Sequence, residues 1–180
     1  MLRARPHKQE EKERVRLTLL REALALSAAH GFASLGLREV ARAANIAPTS
    51  FYRHFADMSD IGRALVEEHV APLLRELGLS VRAGDARASA LALVQEGLTA
   101  VESQPEIVRF LVAERAGAFD FLREPLSGEL HVLAQQLHAK RGAIAVAVLL
   151  DGLARVIDLP QPERGPERER LVNALSWVLA

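Results

Sequence analysis

Residues 37–55 read LREVARAANIAPTSFYRHF. From Leu37 to Ala44 the apolar positions Leu37, Val40 and Ala41 share one face of a helix, with Arg38, Glu39 and Arg42 on the other. Gly36 stands at the N-cap, and Glu39 is placed to reach back to a free backbone N–H there. The period then breaks at Ala44-Asn45-Ile46. Asparagine tolerates a left-handed backbone, so Asn45 can end a helix. Pro48 restarts one, because its missing N–H is no loss at the first helical position. The stretch therefore predicts two short helices joined by a tight turn, the second running from Pro48 to His54.

The second helix is too short to stand alone. Ile46, Phe51 and Phe55 can anchor it inward, which leaves Thr49, Ser50, Tyr52, Arg53 and His54 for its outer side and ends. No acid occurs between Glu39 and Asp57. Hydroxyls, a phenol, a guanidinium and an imidazole without a carboxylate make a surface suited to phosphates and base edges. The plain alternative is a solvated helical hairpin within an all-α protein.

Outward from this stretch, Glu10 to His30 predicts a long amphipathic helix with Val15, Leu19, Ala23 and Leu26 on one side and Gly31 as its stop. Residues 1–9 carry Arg3, Arg5, His7 and Lys8 before the first acid and suggest a basic arm. On the other side, Asp57 caps a helix that continues to about Leu79, with Pro72 set to kink it. Helical spacing continues through Ala86–Ser103, a short segment from Pro105, a segment from Asp120 or Glu124 to Leu137, Gly142–Ile157 and Glu167–Leu179. No stretch alternates as a strand would. The fold class is all-α, with a helix-turn-helix unit at 1–56 and a second helical unit at 57–180.

Charge is zero overall but uneven: residues 1–60 hold ten Lys/Arg against seven Asp/Glu, and residues 61–180 hold thirteen against sixteen. An anion-binding surface belongs at the N-terminal end. The absence of cysteine removes disulfides and thiolate metal sites and suits a cytoplasmic protein. No signal-like apolar stretch opens the chain, and the run Ala143–Leu150 is too short to cross a membrane.

Gly142–Ile157 is apolar almost all round until Asp151, so it needs cover on both sides. A second copy supplies the outer cover in the reading adopted here, with Val146, Leu149, Leu150, Leu153, Leu171, Leu175 and Val178 at the two-fold interface. His131 and His138 lie two helical turns apart with Glu124 a heptad earlier, a pattern short of a full metal or acid–base set. No phosphate loop or nucleophile motif is present. No enzyme activity, cofactor or metal is implied.

The segment GFASLGLREVARAANIAPTSFYRHFADMSDIG resembles the DNA-binding region of TetR-family transcriptional regulators. The likeness spans Val15 to about Val70 and rests on Gly31-Phe32, Val40-Ala41, the Ala44-Asn45-Ile46 turn, Tyr52, His54 and Phe55. Within that family it is similar to the FabR/DesT group of fatty-acid regulators, as is the segment Phe110–Gly117. Two positions depart from the family pattern: Met58 stands where many members carry a phosphate-gripping lysine, and Asn45 replaces a turn glycine.

The resemblance implies a homodimeric repressor on a palindromic DNA operator, with Thr49, Ser50, Tyr52 and His54 at its bases and phosphates; the reading of the residues adds Pro48 and Arg53 of the same helix and Arg38 of the preceding one, which has a local ion pair as its alternative. It also implies a small hydrophobic effector, in the FabR/DesT group a long-chain acyl thioester. The candidate lining is Leu77, Leu98, Phe110, Phe119, Phe121 and Leu122. A regulator of efflux or catabolic genes with another ligand, and an interaction protein without operator binding, are the alternatives.

Overall fold

The computed structural model describes residues 5–81, 85–115, 120–138 and 140–180, with side chains throughout except at 5–8, 120, 121 and 123. Among the described residues the regular structure is helical. The helices are α1 (Arg5–His30), α2 (Leu37–Ala43), α3 (Pro48–Phe51), α4 (Met58–Leu65), α5 (Ala71–Leu79), α6 (Ala86–Ser103), α7 (Pro105–Glu114), α8 (Asp120–Leu137), α9 (Gly142–Val156) and α10 (Arg164–Leu179).

In α1, Leu19 and Ala23 are fully buried and Leu20 and Leu24 join them. The helix begins at Arg5, so residues 5–9 of the expected arm are its first turns, while residues 1–4 lie outside the described residues. Pro6 fits this early start, since the first turn of a helix has no use for its N–H. Gly31 ends α1 with φ of 77°, a left-handed backbone that glycine adopts without a Cβ clash. Its N–H still reaches the Ser27 carbonyl at 2.8 Å.

α2 buries Val40 and Ala41. Glu39 does not close a capping box: Gly36 has no side-chain cap, and its carbonyl instead takes the N–H groups of Glu39 and Val40 at 2.9 and 3.2 Å. Asn45 turns the chain at φ of 55°. The expected Pro48–His54 helix is shorter than its sequence suggested. α3 closes at Phe51, and a tight turn follows in which Arg53 N–H reaches the Ser50 carbonyl at 3.1 Å and His54 N–H reaches Phe51 at 2.8 Å. One turn of helix is held from within by Phe51 and Phe55, 6.0 Å apart between ring centres.

Asp57 caps α4 by accepting the Asp60 N–H at 2.8 Å, and Asp60 returns to the Ala56 N–H at 3.0 Å. The segment beyond is not one helix. Pro72 cannot donate to the carbonyl four residues back. The chain absorbs this through a π-turn at Val66–Val70, closed by the Ala71 N–H on the Val66 carbonyl, before α5 resumes. α10 likewise starts earlier than expected, at Arg164.

A continuous apolar core runs from Leu19 and Phe51 through Leu74, Leu93 and Phe110 to Leu153 and Leu175. α1 packs on α7 and α4, while α6, α9 and α10 pack together with α8 beside α9. At the α8–α9 corner a Cβ on Gly142 would stand 1.6 Å from the Ala134 carbonyl oxygen, so only glycine lets the helices meet that closely. None of the described helices is long and apolar enough to cross a membrane.

Candidate nucleic-acid interface

α2 and α3 meet at an angle that leaves two shallow depressions on the outside. One of about 490 Å³ is lined by Gly36, Leu37, Arg38, Pro48, Thr49 and Tyr52. The other, of about 450 Å³, is lined by Arg38, Arg42, Asn45, Ile46, Ala47 and Pro48. Neither contains an acid. Pro48, Thr49 and Arg53 are exposed, Ser50 is half-buried, and Tyr52 is 64% exposed. The Tyr52 ring rests edge-on against Phe51, 5.9 Å between centres, which aims the phenol outward. Arg38, Arg42 and Arg53 form no ion pair among the described residues. Arg38 and Arg42 thus bring unpaired positive charge to the depressions, and Arg53 is exposed next to Tyr52.

His54 is half-buried and differs from its neighbours. Its Nδ1 is buried without a hydrogen-bond partner. Burial holds its pKa below the usual imidazole range, helped by the nearby cations Lys12 and Arg53.

Behind α3, Arg16 of α1 stacks over the Phe55 ring at 5.4 Å and holds Glu68 of the π-turn through both guanidinium nitrogens, the longer bond being 3.0 Å. Sequence reading did not single out this clasp, because 52 positions separate its partners. The arginine's pKa is raised and the glutamate's lowered, each chiefly by that hydrogen bond.

Residues 19–65 match the family model described as bacterial regulatory proteins, tetR family. This segment is similar to tetR-type domains. It contains α2, the Asn45 turn, α3 and the capped start of α4. Similarity extends beyond it in shape. A putative tetR family transcription regulator from Shewanella sp. PV-4 superposes with TM-score 0.70 at 17% identity, covering 91% of this chain and 96% of that one. SmeT in its complex with triclosan gives 0.67 at 19% identity, covering 92% and 90%. The fatty acid degradation regulator FadR from Bacillus halodurans gives 0.64 at 16%, covering 91% and 93%. The chain thus has the TetR-like all-α fold, a helix-turn-helix domain followed by a helical domain.

Beyond residue 65, the described residues expected to line a pocket or an interface lie mostly in the core. Leu77, Phe110 and Leu122 are each 1% exposed and belong to the core, and Leu98 is half-buried against it. Phe119 and the Phe121 side chain lie outside the described residues. Two clefts open in this part: one of about 850 Å³ lined by Gly78, Val81, Ser89, Gln136 and Leu179, and a smaller one between α8 and α9 with Arg115 among its lining. Arg115 pairs with Asp151, and Arg109 pairs with Asp158 at 2.7 Å.

Val146, Leu149, Leu150, Leu153, Leu171, Leu175 and Val178 are all buried within the single chain. They fasten α9 and α10 to their own bundle, because α6 and α8 already cover the face that carries them. The outward faces show Ile144, 55% exposed, and Trp177, 77% exposed. An all-apolar helix does not reveal which side its own bundle takes, but the lone tryptophan off the Leu171–Leu175–Val178 stripe was an available signal. The two histidines have local roles: His138 Nδ1 accepts the Lys140 and Arg141 N–H groups at 3.1 Å, and His131 meets the Gln135 amide at 2.8 Å.

Proposed function

We propose that this protein is a dimeric transcriptional regulator of the TetR type that binds double-stranded DNA and answers to a small hydrophobic effector. The observation that carries the reading is the acid-free double depression around Arg38 and Pro48, bordered by exposed Thr49 and Tyr52. Thr49 and Ser50 approach base edges, and Arg38, Tyr52, Arg53 and His54 engage phosphates. Residues 1–56 form the reading unit and 57–180 the effector and pairing unit. Two copies joined through the outer faces of α9 and α10, with Ile144 and Trp177 central, present two α3 helices to a palindromic operator.

Repression and control by an acyl-type effector are the finer form of the proposal. They are supported by the residue similarity to the FabR/DesT group and by the shape shared with a fatty acid degradation regulator. The test is binding to DNA flanking the protein's own gene, read by gel shift and fluorescence anisotropy. A specific complex that weakens steeply with salt supports the reading. Equal, feeble binding to all sequences would leave an all-α interaction protein in its place.

A further inference from the structure

The cleft between α8 and α9 extends the ligand-responsive reading and rests on it for its regulatory part. Leu130, Ala134, Val146 and Leu150 form an apolar floor, and Arg115 and Asp151 stand at the edge. Its volume of about 390 Å³ lies within the roughly 300–1,000 Å³ of small-molecule sites. The other polar groups at the cleft are engaged: the Ser127 hydroxyl donates to the Glu124 carbonyl at 3.1 Å, and His131 meets Gln135.

Arg115 is different. One guanidinium nitrogen holds Asp151, while Nη1 is buried with no partner. A buried cationic donor left unmatched is costly, and an acceptor brought by a ligand removes that cost. We propose that this cleft binds a small amphipathic carboxylate, its aliphatic body along the α8–α9 floor and its carboxylate on Arg115.

The charge count selects the head group. Arg115 is already matched by Asp151, so a ligand carboxylate takes that place, one planar acid exchanged for another through two parallel hydrogen bonds. A phosphate dianion would meet the same single cation with Asp151 beside it, and a nucleotide-bearing acyl thioester would bring several phosphates to one arginine. The cleft also has a route to the DNA reader. Glu114, next to Arg115, accepts the Phe32 backbone N–H, and Phe110 packs edge-on to Phe32 at 5.8 Å. A ligand that draws Arg115 from Asp151 therefore acts on the last turn of α7, where α7 holds the segment leading into α2.

The test is calorimetry on the intact protein with octanoate, octanamide and octanoyl-coenzyme A. Octanoate should bind about tenfold more tightly than octanamide, the value of a charge-assisted pair. Arg115→Gln should bring octanoate down to the amide's affinity without moving the amide. Asp151→Asn should tighten octanoate, because the competing carboxylate is gone, and a merely structural ion pair would not produce that gain. Ser127→Phe, at an exposed cleft position on α8, should fill the space and abolish both ligands while circular dichroism shows a folded chain.

Equal binding of octanoate and octanamide, an unaltered Arg115→Gln, or binding of the coenzyme A ester alone would overturn the proposal. DNA binding measured on the same preparations separates the two readings. Octanoate binding without DNA binding removes the regulator and keeps the cleft. Salt-sensitive DNA binding without octanoate binding does the reverse.

Discussion

Tyr52 has its ring braced by Phe51 and is 64% exposed, so in the proposed complex it contributes one phosphate hydrogen bond. Tyr52→Phe should weaken operator and random DNA alike, by roughly two- to tenfold, the usual value of one hydrogen bond. Anisotropy titrations on both DNAs measure it, and a loss confined to one operator sequence would contradict the phosphate role. Thr49, with no ring to fix it and a place at the α3 N-terminus, should affect sequence preference instead. A binding-site selection on Thr49→Ala should return a relaxed consensus at the base it faces.

Two titratable groups, one half-buried and one buried, give opposite pH signatures. His54 has a folded-state pKa below its ordinary 6.5, first through burial. The unfolded chain therefore binds its proton more readily, and stability falls as pH drops through and below that value. Glu114 is 4% exposed and has its pKa raised by burial above 4.5, against the pull of the Phe32 N–H. Its folded form holds the proton longer, so its share of stability is complete below pH 4.5 and lost as pH rises through the raised value. Chemical melts across pH should show His54→Gln flattening the acid-side loss and Glu114→Gln flattening the decline toward neutral pH. An unchanged slope in either variant would remove that residue from the account.

At the level of elements, the joint between reader and body is the π-turn. It sets Glu68 against Arg16, which also covers Phe55 at the end of the reading turn. Both side chains are partly exposed, so the ion pair itself contributes on the order of 0.5–1 kcal/mol. A double-mutant cycle of Arg16→Ala and Glu68→Ala should return a coupling energy of that size in thermal or urea melts. Additive losses would show that the two ends are not mechanically linked.

This joint also shows what the sequence made legible. Pro72 announced an interruption, and Asp57 announced the helix start. The form of the interruption depended on which carbonyl lost its partner, and the clasp depended on tertiary approach. The Asn45 turn was readable because few residue types accept its backbone. The length of α3 was not, because Tyr52, Arg53 and His54 suit a helix as well as the tight turn they adopt.

For the whole molecule, the all-α class and the site of the basic concave surface were legible from periodicity and charge placement. The pairing surface was not. Leu150 and Leu175 are apolar in a helix whichever way they face, and their own bundle covers them. The exposed Ile144 and Trp177 therefore take their place in the proposed dimer. Ile144→Glu combined with Trp177→Glu should leave folded monomers by light scattering and circular dichroism. Leu153→Ala, in contrast, opens a core cavity and should cost about 2–5 kcal/mol of stability. A double variant that remains dimeric would place the two-fold contact elsewhere.

The central claim is that the face around Arg38, Pro48 and Thr49 lies on duplex DNA. Its most direct measurement is the salt dependence of affinity for DNA flanking the protein's own gene, in the native chain and in Arg38→Ala. The expected result is a linear fall of log K with log salt, shallower by about one unit of slope in the variant. An affinity indifferent to salt, or a slope that Arg38→Ala leaves unchanged, would contradict it.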